Sequence, residues 1–171
     1  LIAKGALTEA ERAFARMQVE TELRKRATIG GVKQETQVVR DLRHNGDFNL
    51  AAATGWQVGA TVAGTLLAWI NFALTAKKWI GVYAVEANMT EAVLSEIQLQ
   101  VGGVNGGVGF FGTLQRINTL LEQEMYLNAP YFWDQQKTAV VQVLPRLTRG
   151  AGTELILEGE ACEELGDVVS Q

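Results

Sequence analysis

Between Leu66 and Lys77 the chain changes character at every residue, and that alternation constrains its fold more than any other feature. Leu66, Ala68, Ile70, Phe72, Leu74 and Ala76 form one set; Leu67, Trp69, Asn71, Ala73, Thr75 and Lys77 form the other. The first set is uniformly apolar and the second turns polar, a period of two that predicts a strand with one buried face. The run closes a 29-residue stretch, Phe48 to Ala76, without a charged side chain. A transmembrane helix needs only about 20 apolar residues. Here, however, Gly55, Gly59, Gly64 and several threonines dilute the stretch, and alternation replaces uniform hydrophobicity. A membrane span is therefore not expected. No secretory signal is expected either, because Lys4, Glu9 and Glu11 interrupt any apolar run near the start.

The same period recurs downstream. Trp79 to Ala87 is rich in aromatic and β-branched residues, and Asn88 after it suits a turn. Val93, Ser95, Ile97, Leu99 and Val101 alternate with Leu94, Glu96, Gln98 and Gln100, the cleanest strand pattern in the chain. Gly102 to Gly112 reads as a glycine-rich connection. Thr138 to Leu144 is another strand, and Pro145 restricts its end to an edge or a bulge. A turn at Arg149–Gly152 leads into Glu154 to Cys162, with Leu155 and Leu157 facing in and Glu158 and Glu160 facing solvent. Two places suggest helix. Thr8 with Glu11 fits a capping box and predicts a short helix, followed by an extended arm in which Met17, Val19, Thr21 and Leu23 alternate with polar residues. Phe110, Leu114, Ile117, Leu121 and Met125 fit one helix face over Thr113 to Leu127; a long loop with two short strands is the competing assignment. With 47% hydrophobic residues and only two prolines, the 171-residue chain can build one core unaided. Six to eight strands with at most two short helices favour an all-β sandwich or barrel over β-α units. The expected organisation is an N-terminal arm over 1–46 and a β-barrel domain over 47–171.

No constellation names a reaction. Gly107-Val108-Gly109-Phe110-Phe111-Gly112 matches a dinucleotide-binding fingerprint literally, and Asp134 stands near the distance expected of a ribose ligand. Two phenylalanines would nevertheless sit where pyrophosphate should approach, and the chain after Gly112 is too short for a doubly wound sheet. A glycine-rich loop between strands is the preferred reading. Glu158 and Glu160 share a strand face at about 6–7 Å, close enough for acid–base work or calcium, with Glu163 and Glu164 following. Solvation of an acidic strand explains them as well. The single cysteine, Cys162, and the single histidine, His44, have 117 residues between them, so a thiol nucleophile requires the fold to bring them together; a buried structural cysteine and a turn histidine are favoured. No metal site, cofactor or catalytic activity is expected.

Surface chemistry is more informative. Residues 1–46 carry nine Lys or Arg and six acids, whereas 47–171 carry six basic and thirteen acidic side chains. The net charge of −4 excludes a generally basic nucleic-acid binder. It leaves a mildly basic arm beside an acidic body. Tyr131, Phe132 and Trp133 in succession cannot all enter one sheet face, so an aromatic contact surface is expected there. Trp56, Trp79 and Trp133 offer the alternative of a glycan-stacking platform on a ligand-binding sandwich.

The closing strands, Pro130–Val143 and Glu154–Gly159, in a strand-rich chain with a polar arm, resemble those of single jelly-roll capsid proteins. The likeness, over about residues 56–162, is to the smaller major capsid protein of tailless icosahedral phages of thermophilic bacteria with an internal membrane. It implies a jelly-roll fold and a structural role in the virion. It also implies contacts with copies of itself and other capsid subunits, and proximity to a viral membrane. On this reading the chain is a homo-oligomer, most simply a dimer, whose arm packs on a neighbour. Met17, Val19, Leu23, Tyr131 and Trp133 are then the expected interface residues.

Overall fold

The structure is a computed structural model, and it describes residues 8–88, 91–102, 108–114 and 124–168. Nine strands make up about half of it: β1 (Gln37–Asp41), β2 (Gln57–Val58), β3 (Leu67–Ala73), β4 (Lys78–Asn88), β5 (Leu94–Val101), β6 (Val108–Thr113), β7 (Glu124–Trp133), β8 (Thr138–Pro145) and β9 (Thr153–Glu164). Helix α1 spans Glu9–Ile29, and single turns α2 (His44–Phe48) and α3 (Leu165–Val168) complete it. The five strands expected from period-two patterning all form, four of them within two residues of their expected ends and β3 ending three residues early, at Ala73.

The strands pair as one long hairpin would. β1 lies antiparallel to β9, β3 to β8, β4 to β7 and β5 to β6, each pair nested inside the one before. Folding that ribbon over adds β4 against β9 and β5 against β8. The result is two antiparallel sheets, β1-β9-β4-β7 with the short β2 also on β9, and β3-β8-β5-β6. Inward side chains such as Ile80, Ile97, Val141 and Leu157 fill the space between them. Burying one such aliphatic side chain stabilises the fold by about 1.5–3 kcal/mol, so this double layer dominates the energetics. Pro145 ends β8 opposite Leu94, where the register with β5 shifts, so the irregularity expected at the proline is present. Gly159 on β9 faces β4 so closely that an added Cβ would stand 2.0 Å from the Gly81 carbonyl oxygen. Only glycine permits that backbone approach.

Four expectations need correction. The arm is not extended: Thr8 caps a single 21-residue helix, its side chain accepting from the Glu11 amide while the Glu11 carboxylate accepts from the Thr8 amide. Alanine, glutamate, arginine and leucine favour helix throughout this segment, and Val19, Leu23 and Ala27, four apart, form its buried stripe. The arm boundary at residue 46 also moves, since β1 is a paired strand of the sandwich. The helix expected over Thr113–Leu127 does not form at its C-terminal end, where Glu124–Leu127 belong to β7; residues 115–123 lie outside the described set. Of the residues that make up its apparent face, Phe110 lies in β6 and Met125 in β7. Finally, the glycine-rich connection expected over Gly102–Gly112 is, from Val108 onward, strand β6, paired with β5, while residues 103–107 lie outside the described residues. The uncharged stretch becomes β2, β3 and their connections, and among the described residues no helix is long and apolar enough to cross a membrane.

Candidate functional site

Helix α1 lies across the outer face of the β1-β9-β4-β7 sheet, and the two halves of that contact differ in chemistry. Toward its C-terminus, Val19, Leu23 and Ala27 pack on Trp79, Tyr83, Ala84 and Cys162. Toward its N-terminus the sheet presents acids instead. Arg12 stands 3.2 Å from Glu124 and 3.6 Å from Glu158; Arg16 reaches Asp41 and lies 3.6 Å from Glu160. A cleft of about 230 Å³ opens beside them, lined by Arg12, Arg16, Asp41, Trp56, Tyr83 and Glu158. Thus the helix is held by an apolar seam at one end and by charge at the other.

The acids below Arg12 form a compact cluster. The Tyr126 hydroxyl donates to Glu124 at 2.9 Å, and its ring stacks on Tyr83 with centroids 6.2 Å apart. Burial pushes the Glu158 carboxyl up to about 8, reinforced by its hydrogen bond to Glu124 and that residue's charge, while Arg12 opposes the rise. Protonated Glu158 donates to Glu124, so two carboxyls, one proton and one guanidinium balance to neutrality. Burial also raises Tyr83 to about 12, with Glu158 adding to it. Glu160 is raised by burial, with Arg16 opposing, and its Oε2 is buried without a hydrogen-bond partner. A carboxyl pair sharing a proton is acid–base machinery in form, and here both carboxyls are paired with Arg12.

That cluster sets a pH dependence. The folded state holds the Glu158 proton more tightly than the unfolded chain, whose glutamates titrate near about 4.3. Its contribution to stability is therefore full below that value and is lost as pH rises toward about 8. Glu158→Gln keeps a donor toward Glu124 and removes the titration. The variant should match the parent near about pH 4 and become more stable than it by about pH 8. Thermal melts across that range check this; parallel curves for the two proteins would refute the shared proton.

The expected interface residues separate. Met17 is 57% exposed, whereas Val19, Leu23 and Trp133 are fully buried within their own chain. They are core residues, which corrects their assignment to an intermolecular surface. Tyr131 is half-buried, its ring 5.0 Å from Trp133 in an edge contact. Of the three tryptophans offered as a stacking platform, Trp79 is buried beneath α1 and Trp133 in the core, while half-buried Trp56 packs among His44, Phe48 and Trp69 and lines the cleft. Glu158 and Glu160 face outward as expected, but toward α1 and not toward solvent. Asp134 pairs with Arg26 at 2.9 Å, and the same guanidinium covers the Phe132 ring at 4.6 Å. Cys162 is buried, and burial lifts its thiol to about 11, the opposite of an activated nucleophile. Among the described residues no group of three or more His, Cys, Asp or Glu is placed to hold a metal.

Sequence reasoning missed Arg12 and Arg16 as a pair. Their spacing of four is visible, since it puts both on one helix face, but nothing local announces that acids lie beneath. It also missed Phe14, an exposed aromatic on the same helix. No protein-family model matches this sequence, and a search of curated proteins finds no significant relative.

Proposed function

We propose that the chain is a structural subunit of a viral shell, built on a jelly roll and assembling with copies of itself and with other capsid subunits in the virion. The observation that carries this reading is the strand order. Four nested antiparallel pairs wrapped into β1-β9-β4-β7 and β3-β8-β5-β6 support a two-Greek-key, double-sheet plan of the kind that capsid domains use. The surfaces suit tiling. The β3-β8-β5-β6 sheet contains a single charged residue, Glu96, and its outer face presents Asn71, Gln98, Gln100 and Gln142 around Phe111, which is 49% exposed. Copies that each carry a net charge of −4 can approach through such a face without like charges meeting.

Light scattering and negative-stain microscopy over a concentration series test the reading. Growth from small oligomers into sheets or shells is the expected result. A chain that stays monomeric at every concentration, alone and mixed with other subunits of a shell, would overturn it.

A further inference from the structure

Helix α1 covers the sheet with one side and leaves the other uncovered. The outward stripe consists of Ala10, Ala13, Phe14, Met17, Gln18 and Thr21, all exposed and none charged. Phe14 and Met17 are 56% and 57% exposed, two neighbouring large apolar side chains on the side of the helix turned away from the sheet. Scattered single apolar residues need no explanation, but adjacent ones at helical spacing mark a contact surface.

The charges beside the stripe differ at its two ends. Glu9 and Glu11 stand in the first turn, while Arg24, Lys25 and Arg26 stand near the end, next to Glu20 and Glu22. Glu11 is engaged in the capping box, and Arg24 and Arg26 pair with Glu20 and Glu22. Lys25 remains 68% exposed, with only a 3.9 Å approach to Glu22.

We infer that this outward face of α1 pairs with the same face of a second copy, the two helices antiparallel about a two-fold axis beside Met17 and Gln18. The inference rests on the assembly reading and names the contact that nucleates it. An antiparallel pairing brings the acidic first turn of each helix to the basic last turns of the other, and it opposes the two helix dipoles. About this axis Phe14 faces Thr21 of the second copy, and Met17 packs at the centre. A parallel pairing would set acid against acid and base against base. Helices in such contact lie about 8–10 Å apart, which puts Glu9 of one copy within reach of Lys25 of the other. Because the buried stripe stays docked on its own sheet, the dimer forms without exchanging the arm.

Zero-length carbodiimide cross-linking of the full chain, with mass spectrometric mapping, provides the test. Within one helix Glu9 and Lys25 are about 24 Å apart at 1.5 Å per residue, so a link between them joins two molecules. The expected result is a Glu9–Lys25 link in a covalent dimer, lost in Met17→Glu together with a rise of at least about tenfold in the dimer Kd. The melting temperature should stay near that of the parent, because the site is exposed, and Phe14→Ser should give the same pattern. Association with unchanged Kd in both variants, and no such link, would overturn the α1 pairing while leaving the assembly reading intact. A chain monomeric under all conditions would overturn both. Binding to anionic lipid vesicles that disappears in Met17→Glu, with the free chain monomeric, would assign the face to a membrane and also overturn the pairing.

Discussion

Replacing Asp47 with alanine should lower stability by about 3–5 kcal/mol, the usual cost of leaving buried charge without its partner, and the melting temperature by roughly 10 °C for a chain of this size. Asp47 is fully buried at the end of the sandwich, where the α2 turn meets β1, β4 and β9. Its carboxylate accepts from both terminal nitrogens of Arg40, at 2.8 and 2.9 Å, and from the Arg43 backbone amide at 2.7 Å. The Lys78 ammonium stands 2.7 Å from Asp47 and 2.9 Å from Glu163. Arg40 closes the ring with Glu163 at 3.0 Å. Two cations and two anions thus satisfy one another out of water. Removing Asp47 leaves Lys78 and Arg40 buried over a single carboxylate. Burial alone would raise the Asp47 carboxyl, but hydrogen bonds from Arg40 and the charge of Lys78 outweigh it and hold it below the ordinary range. This contribution is present above the unfolded aspartate value, about 3.9, and is lost as pH falls through the lower folded value, so the parent's acid limb should be blunted in the variant. A double-mutant cycle sharpens the test. Asp47→Asn combined with Lys78→Met should cost less than the sum of the single losses by about 1 kcal/mol or more. Additive losses would show that the ring is not coupled.

Lys78 and Asp47 also show where sequence stops informing. Each reads locally as a charge beside a strand or turn, and what makes them core residues is a closure among β1, α2, β4 and β9, whose segments are far apart in the chain. The strands were legible because each carries its own period of two, which is a local property. Helix α1 was misread for a reason equally local. Met17, Val19, Thr21 and Leu23 alternate in a strand, but alternate residues in a helix also lie on nearly opposite sides, since two steps of about 100° turn the chain by about 200°. Met17 and Thr21 accordingly point out, and Val19 and Leu23 point in. Helix propensity and the spacing of Val19, Leu23 and Ala27 would have decided the matter. The acids beneath Arg12 and Arg16 had no such local sign, because Glu124 and Glu158 reach the helix only through the wrapped ribbon. The candidate site was therefore legible as residue types and illegible as a cluster.

Trp133 provides the other large effect, and it separates a core role from the interface role its aromatic run suggested. The indole is fully buried and donates to the Gln100 carbonyl at 2.9 Å, tying β7 of one sheet to β5 of the other. Phe48 and Tyr131 meet it edge-on at 6.1 and 5.0 Å. Truncation removes the largest side chain filling the space between the sheets, and the rigid strands around it can close only part of the void. Trp133→Ala should therefore cost about 3–5 kcal/mol. Trp133→Phe should cost less, because much of the volume is retained and the loss centres on the hydrogen bond. Chemical denaturation of both variants measures this, and light scattering of the folded fraction provides the contrast. A core residue lowers the denaturation midpoint while the association of folded molecules stays as in the parent. An interface residue does the reverse, and a Trp133→Ala protein as stable as the parent but weakened in association would return this ring to the surface.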